Sequence, residues 1–113
     1  MHVMKLNEPS FEKLKQGTKT LEIRLYDEKR RIIKLCDIIK FQKMNDLADI
    51  VHVEVIGLLI YKKFEHIVDD TPTAWMGYPE LKRDYLRTSM YEIYTKEDEE
   101  KFGVLGIRMK LVS

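Results

Sequence analysis

One cysteine, Cys36, in a chain of 113 residues excludes an internal disulfide and any zinc site built on paired thiolates. The histidines, His2, His52 and His66, are scattered, with no i,i+4 pair and no H-x-E…C-x-x-C pattern, so neither a metal nor another cofactor is expected. None of Ser10, Ser89 and Ser113 lies in a nucleophile elbow, which removes serine-hydrolase chemistry. The N-terminal residues hold no apolar run fit for a signal peptide or a membrane span, and a cytoplasmic protein with no membrane partner is the expectation. An excess of one charge is missing as well. With 20 basic against 19 acidic side chains the net charge is +1, so any contact with nucleic acid has to come from a local patch and not from a global field.

What is present describes one folded domain over residues 1–113, without repeats or linkers. A chain of 113 residues is large enough for one core and too small for two, and 44% hydrophobic with 35% charged residues supports a folded, soluble protein. Residues 3–6 read as a short strand. Asn7 with Pro9 opens a helix running to Gln16, with Phe11 and Leu14 facing the core and Gly17 as its stop. Strand character follows at 19–26, at 37–43, and at 50–62, where Val51, Val53 and Val55 alternate with His52, Glu54 and Ile56. Cys36, at the start of the second of these, reads as a small buried filler. Residues 64–70 form a short helix ended by Thr71-Pro72, and Pro79 opens another with Leu81, Tyr85 and Leu86 as its apolar stripe. Thr95 caps a third, with Asp98 three residues on and Gly103 at its end. A last strand over 104–112 alternates Leu105, Ile107, Met109 and Leu111 with Gly106, Arg108 and Lys110. Strands, then a helical insertion, then a final strand suit a small closed α+β barrel.

The most informative stretch is Gly17-x-Lys19-x-x-Glu22-x-Arg24. In extended chain, Leu21, Ile23 and Leu25 share one face while Thr20, Glu22, Arg24 and Tyr26 share the other. The C′ glycine of the preceding helix delivers Lys19 to the mouth of this strand. Glu22 and Arg24 are one strand step apart and form an ion pair, which either orients a site or leaves Arg24 to fork onto a phosphate or stack on a base. The charges of residues 27–31, with Lys34, read as a solvated turn. Their functional version has Lys29, Arg30, Arg31 and Lys34 following a nucleic-acid backbone. Among Trp75, Tyr78, Tyr91 and Tyr94, one or two offer a ring face to a base, Trp75 because Met76-Gly77 puts it in a loop.

Three pieces in order resemble the ASCH (activating signal cointegrator homology) family, whose small barrels are related to PUA-like RNA-binding domains. They are the lysine-bearing strand just described, the strand start Leu35-Cys36-Asp37-Ile38-Ile39-Lys40-Phe41, and the late segment from Tyr91 and Tyr94 through Glu99, Phe102 and Gly103 to Ile107. The resemblance spans nearly the whole chain and departs from the family at Cys36, where a glycine is usual. It implies a PUA-like β-barrel with short helices flanking one side and a cleft between them. It also implies an RNA, nucleoside or nucleotide partner, held by Lys19, Arg24, Arg30, Arg31, Lys34, Trp75 and Tyr94, the last matching the family's late motif.

The same resemblance implies a competing class, because some members are amidohydrolases of N4-acetylcytidine and others are proposed ribonucleases. Lys19, Glu22 and Thr20 would then be the catalytic set. In the amidohydrolase type a threonine follows the lysine by three positions, with a glutamate further along. Here Glu22 stands in the threonine's place, Thr20 is the substitute hydroxyl on the same face, and Glu80 is the only carboxylate in the region for the third group. Another arrangement has Glu22 as base, Lys19 stabilising an anionic transition state, and Tyr94 or Arg24 assisting. An interaction module with no ligand is the third class.

Overall fold

The computed structural model describes residues 1–112, so Ser113 lies outside the described residues. Five strands form one mixed sheet in the order β1-β3-β4-β5-β2. They are β1 (His2–Leu6), β2 (Leu21–Leu25), β3 (Ile38–Lys43), β4 (Asp46–Tyr61) and β5 (Val104–Leu111). Only β1 and β3 run parallel; the other pairings are antiparallel. The sheet curls into a half-barrel whose edge strands are β1 and β2. The barrel-like α+β fold is found, but the closure expected from the sequence is not, because β1 and β2 leave a seam between them.

Strand β4 is long enough to serve two neighbours, pairing with β3 through its first part and with β5 through its second. Ile56 is the extra residue at a bulge between Val55 and Gly57, where the register against β5 shifts. A bulge bends the strand and increases its twist, which lets one strand turn the corner of the barrel. Val51, Val53 and Val55 are buried and Ile56 is exposed, as the alternation predicts.

Helix α1 (Glu8–Lys15) plugs the barrel. The Asn7 side chain accepts from the Ser10 amide at 3.0 Å, and Phe11 and Leu14 enter the core beside Phe41 and Ile107. Full burial contributes about 1.5–3 kcal/mol for each such side chain. At its C-terminus Gly17 takes φ +83°, the Gly17 amide bonds the Leu14 carbonyl and the Thr18 amide bonds that of Lys13. This is the paired hydrogen-bond closure that favours glycine.

A second core lies on the outer face of β2 and β5. Helix α3 (Phe64–Asp70), the 3₁₀ turn Thr73–Met76 and helix α4 (Arg83–Ser89) bury Phe64, Ile67, Val68, Met76 and Leu86 against Leu21, Ile23 and Val104. Gly106 is needed there, because a Cβ at that position would stand 2.3 Å from Ile67 Cδ1. Helix α5 (Lys96–Phe102) begins as predicted, with Thr95 Oγ1 accepting from the Asp98 amide at 3.1 Å.

Several expectations need correction. Residues 27–31 are not a turn: Asp27 caps a one-turn helix, α2 (Glu28–Arg31), by accepting from the Arg30 amide. The helix expected to open at Pro79 begins four residues later, at Arg83, and only Leu86 of its stripe is buried, while Tyr85 is 56% exposed. Trp75 belongs to the 3₁₀ turn and not to a loop. Cys36 is exposed, with φ +73°. Its position calls for the left-handed conformation in which glycine meets no Cβ clash, which accounts for the usual glycine there.

Candidate functional site

Strand pairing decides which way the motif points. Glu22 pairs with Ile107 and Arg24 with Leu105, and both partners lie in the barrel core. Since directly paired residues share a face, Glu22 and Arg24 point into the half-barrel beside the seam, while Leu21 and Ile23 point out to the helices. The polar face of β2 is thus the inner one. Lys19 is 7% exposed and Glu22 6%, values far from those of a solvated surface pair.

The three charges converge. Arg24 Nε donates to Glu22 Oε2 at 2.8 Å, and Lys19 Nζ stands 3.2 Å from Glu22 Oε1 and donates to the Leu21 carbonyl at 3.0 Å. Arg24 Nη2 reaches across the seam to the Lys5 carbonyl at 2.8 Å. Burial by itself raises the Glu22 pKa, but Lys19 and Arg24 together outweigh it and hold the carboxyl below its ordinary value of 4.5. For Arg24, burial works against the charge, and Glu22, with Tyr94 and Asp27, more than compensates, so the guanidinium is held more firmly charged than usual. Burial is also the largest influence on Tyr94, raising its pKa and keeping the phenol protonated.

These groups form one end of a cleft of about 710 Å³ along the seam. Lys5 and Leu6 of β1, Arg30 of α2, Tyr78 and Tyr94 line it as well. Tyr94 is stacked on Phe64, with centroids 5.1 Å apart and planes 16° from parallel, which fixes its ring. Arg30 pairs with Asp27 at 3.0 Å, and its buried Nε has no hydrogen-bond partner among the described residues. The outer part of the cleft carries exposed apolar side chains, namely Val3, Met44, Tyr85 and Ile93.

The other nominated residues lie elsewhere. Thr20 is bound through its backbone, its amide to the Trp75 carbonyl and its carbonyl to the Met109 amide, and it does not line the cleft. Trp75 lies against the Arg108 guanidinium, 3.4 Å from the ring centroid, and does not line the cleft either. Arg31 covers the Tyr26 ring at 4.2 Å and faces a different hollow, while Lys34 is exposed and lines neither. Glu80 is exposed and outside the cleft.

A family model for the ASCH domain matches residues 4–113, which take in Lys19 and strands β2 to β5. The chain belongs to the ASCH domain family. Among solved structures, this ASCH domain is similar to the crystal structure of hypothetical protein PH0355. The two are 32% identical with a TM-score of 0.85 over 97% of each chain. The solution NMR structure of protein PF0455 from Pyrococcus furiosus is 28% identical, with a TM-score of 0.72 over 99% of this chain and 97% of that one. ASCH from Zymomonas mobilis, 14% identical with a TM-score of 0.63 over 96% of this chain and 65% of that one, shares the fold. None of these names specifies a ligand or an activity, and no curated protein matches the chain. No described helix of this ASCH domain is long and apolar enough to cross a membrane.

Sequence reasoning used Gly77 only as a loop signal for Trp75 and undervalued Tyr78. Gly77 takes φ +90°, and a Cβ there would stand 2.9 Å from Lys13 Cδ and 3.4 Å from Lys19 Cβ. Its carbonyl accepts from Lys13 Nζ at 2.6 Å, and the same ammonium lies 4.3 Å from the centre of the Tyr78 ring. The glycine therefore packs the turn against Lys19 and sends Tyr78, not Trp75, to the cleft. The dipeptide Gly77-Tyr78 carried a turn signal, but only the contact with α1 gives it a direction.

Proposed function

We propose that this ASCH domain binds a nucleotide or an RNA nucleotide in the seam cleft, with the phosphate or another anionic group near Lys19, Arg24 and Arg30 and the base toward the aromatic and apolar walls. The observation that carries this reading is that two cations, the buried Lys19 and the half-buried Arg24, share one buried carboxylate. A buried cluster with an unmatched positive charge is costly, and an anion relieves that cost. Both cations keep N–H donors beyond those in their present bonds, and the buried Arg30 Nε adds one more. Guanidinium groups suit phosphate because their donors form a planar fork. Tyr94 and Tyr78 supply ring faces, and stacking on an aromatic contributes about 1–3 kcal/mol per base.

The same chemistry argues for binding over turnover. A carboxylate held below its ordinary pKa is a weak proton acceptor, so Glu22 is poorly suited to be a general base near neutral pH. The hydroxyl and carboxylate that the amidohydrolase pattern would use, Thr20 and Glu80, do not line the cleft, where Ser10, Ser89 and Glu92 stand instead. Calorimetric titration with the four ribonucleoside 5′-monophosphates, using wild type and Lys19→Ala, tests the reading. Wild-type binding that weakens at least about tenfold in Lys19→Ala, with an unchanged fold by circular dichroism, is the expected result. Equal affinity in the two proteins would sink it.

A further inference from the structure

A second hollow, of about 870 Å³, opens on the far side of α2 from the seam cleft. Arg30 and Tyr94 line the cleft, whereas their near neighbours Arg31 and Lys96 line this hollow, together with Lys62, Lys63, Tyr26 and Tyr61. Its charge is lopsided. Arg31, Lys62, Lys63 and Lys96 are all exposed, against one exposed carboxylate, Glu100. Glu99 also borders it but is turned inward, accepting from the Phe64 amide at 2.7 Å and from the Tyr91 hydroxyl at 2.9 Å. Among the described residues, Lys62, Lys63 and Lys96 enter no ion pair.

In a chain of net charge +1, unpaired cations gathered at one hollow form a local patch that a global field would not supply. Their mutual repulsion is relieved by an extended polyanion, not by a single small anion, because the charges are spread over β4's end and the starts of α3 and α5. Flat groups stand among them, the Tyr26 ring already holding the Arg31 guanidinium at 4.2 Å. Cations interleaved with aromatic rings are the pattern of single-strand binding surfaces.

We infer that this hollow carries the phosphodiester backbone of a single-stranded RNA, one of whose neighbouring nucleotides occupies the seam cleft. The inference rests on the nucleotide reading of that cleft and extends it from a mononucleotide to a strand. Lys62→Ala, Lys63→Ala and Lys96→Ala, combined in one variant, remove exposed charges and leave the Glu99 contacts alone.

The test compares this triple variant, Lys19→Ala and wild type for binding of a short mixed-sequence single-stranded RNA by fluorescence anisotropy across a salt series. The nucleoside 5′-monophosphates are titrated in parallel by calorimetry. The triple variant is expected to bind mononucleotide as wild type does. Its RNA affinity should fall about tenfold or more, and the slope of log affinity against log salt should shrink by about 2, as loss of three phosphate contacts on a single strand implies. Unchanged RNA affinity and slope in the triple variant, with Lys19→Ala still defective, overturn the inference and leave the cleft reading standing. Equal loss of mononucleotide binding in the triple variant also overturns it, since the effect would then pass through the cleft. Wild type binding neither probe removes the cleft reading, and this inference with it.

Discussion

Arg24 Nη2 donates to the Lys5 carbonyl at 2.8 Å, joining the two edge strands of the half-barrel by a side chain where no backbone ladder exists. The same guanidinium holds Glu22, so a residue lining the seam cleft is also a closure of the fold.

Arg24→Lys keeps the charge and loses the planar fork, and an ammonium cannot satisfy the Glu22 carboxylate and the Lys5 carbonyl in the same geometry. The expected cost is about 1.5–3 kcal/mol, read as a lower urea midpoint with an unchanged m-value. Amide exchange should speed up in β1 before it does in β3. A variant as stable as wild type would show that the seam needs no such tie.

Glu22→Gln leaves the buried Lys19 and the half-buried Arg24 without their carboxylate and is expected to destabilise by about 3 kcal/mol near neutral pH. The pH dependence gives a finer check. The folded pKa of Glu22 lies below 4.5, so its ionisation adds stability that is fully present above that value and is lost as pH falls below it. The stability gap between wild type and Glu22→Gln should therefore narrow as pH drops below about 4.5. A gap constant with pH would mean that Glu22 titrates alike in folded and unfolded chains.

Cys36→Gly should stabilise the protein by up to about 1 kcal/mol, since relief of a left-handed Cβ clash slightly exceeds the added freedom of glycine in the unfolded chain. Thermal melting of the two proteins in reducing buffer measures this. Loss of stability would place the strain elsewhere.

N4-acetylcytidine incubated with wild type and with Lys19→Ala should release no acetate above the blank, followed by chromatography. Lysine-dependent release would reverse the preference for binding over turnover.

Local signals were legible where they depend on neighbours a few residues apart. The Asn7 and Thr95 caps, the Gly17 stop and the span of α3 needed only side chains that bond their own helix or fix its ends. The start of α4 was not legible, because nothing in residues 79–82 marks the point where packing against α3 takes over from the turn. Nor was the helix at 28–31, whose charges resemble a solvated turn until Asp27 is seen capping the Arg30 amide.

By itself, the sequence determined that β2 has an apolar and a polar face and that Lys19 stands where α1 ends, while the resemblance to ASCH domains marked Cys36 as filling a position where glycine is usual. It did not determine which face of β2 is inside. Alternation has a period of two and is blind to direction, so burial follows from which strand each residue meets. Pairing with Leu105 and Ile107 turned Glu22 and Arg24 inward, and the unpaired seam beside β1 left them a cleft instead of a sealed core. Tertiary structure likewise divided the basic segment, sending Arg30 to the cleft and Arg31 to the second hollow, because one helical turn points adjacent residues in different directions.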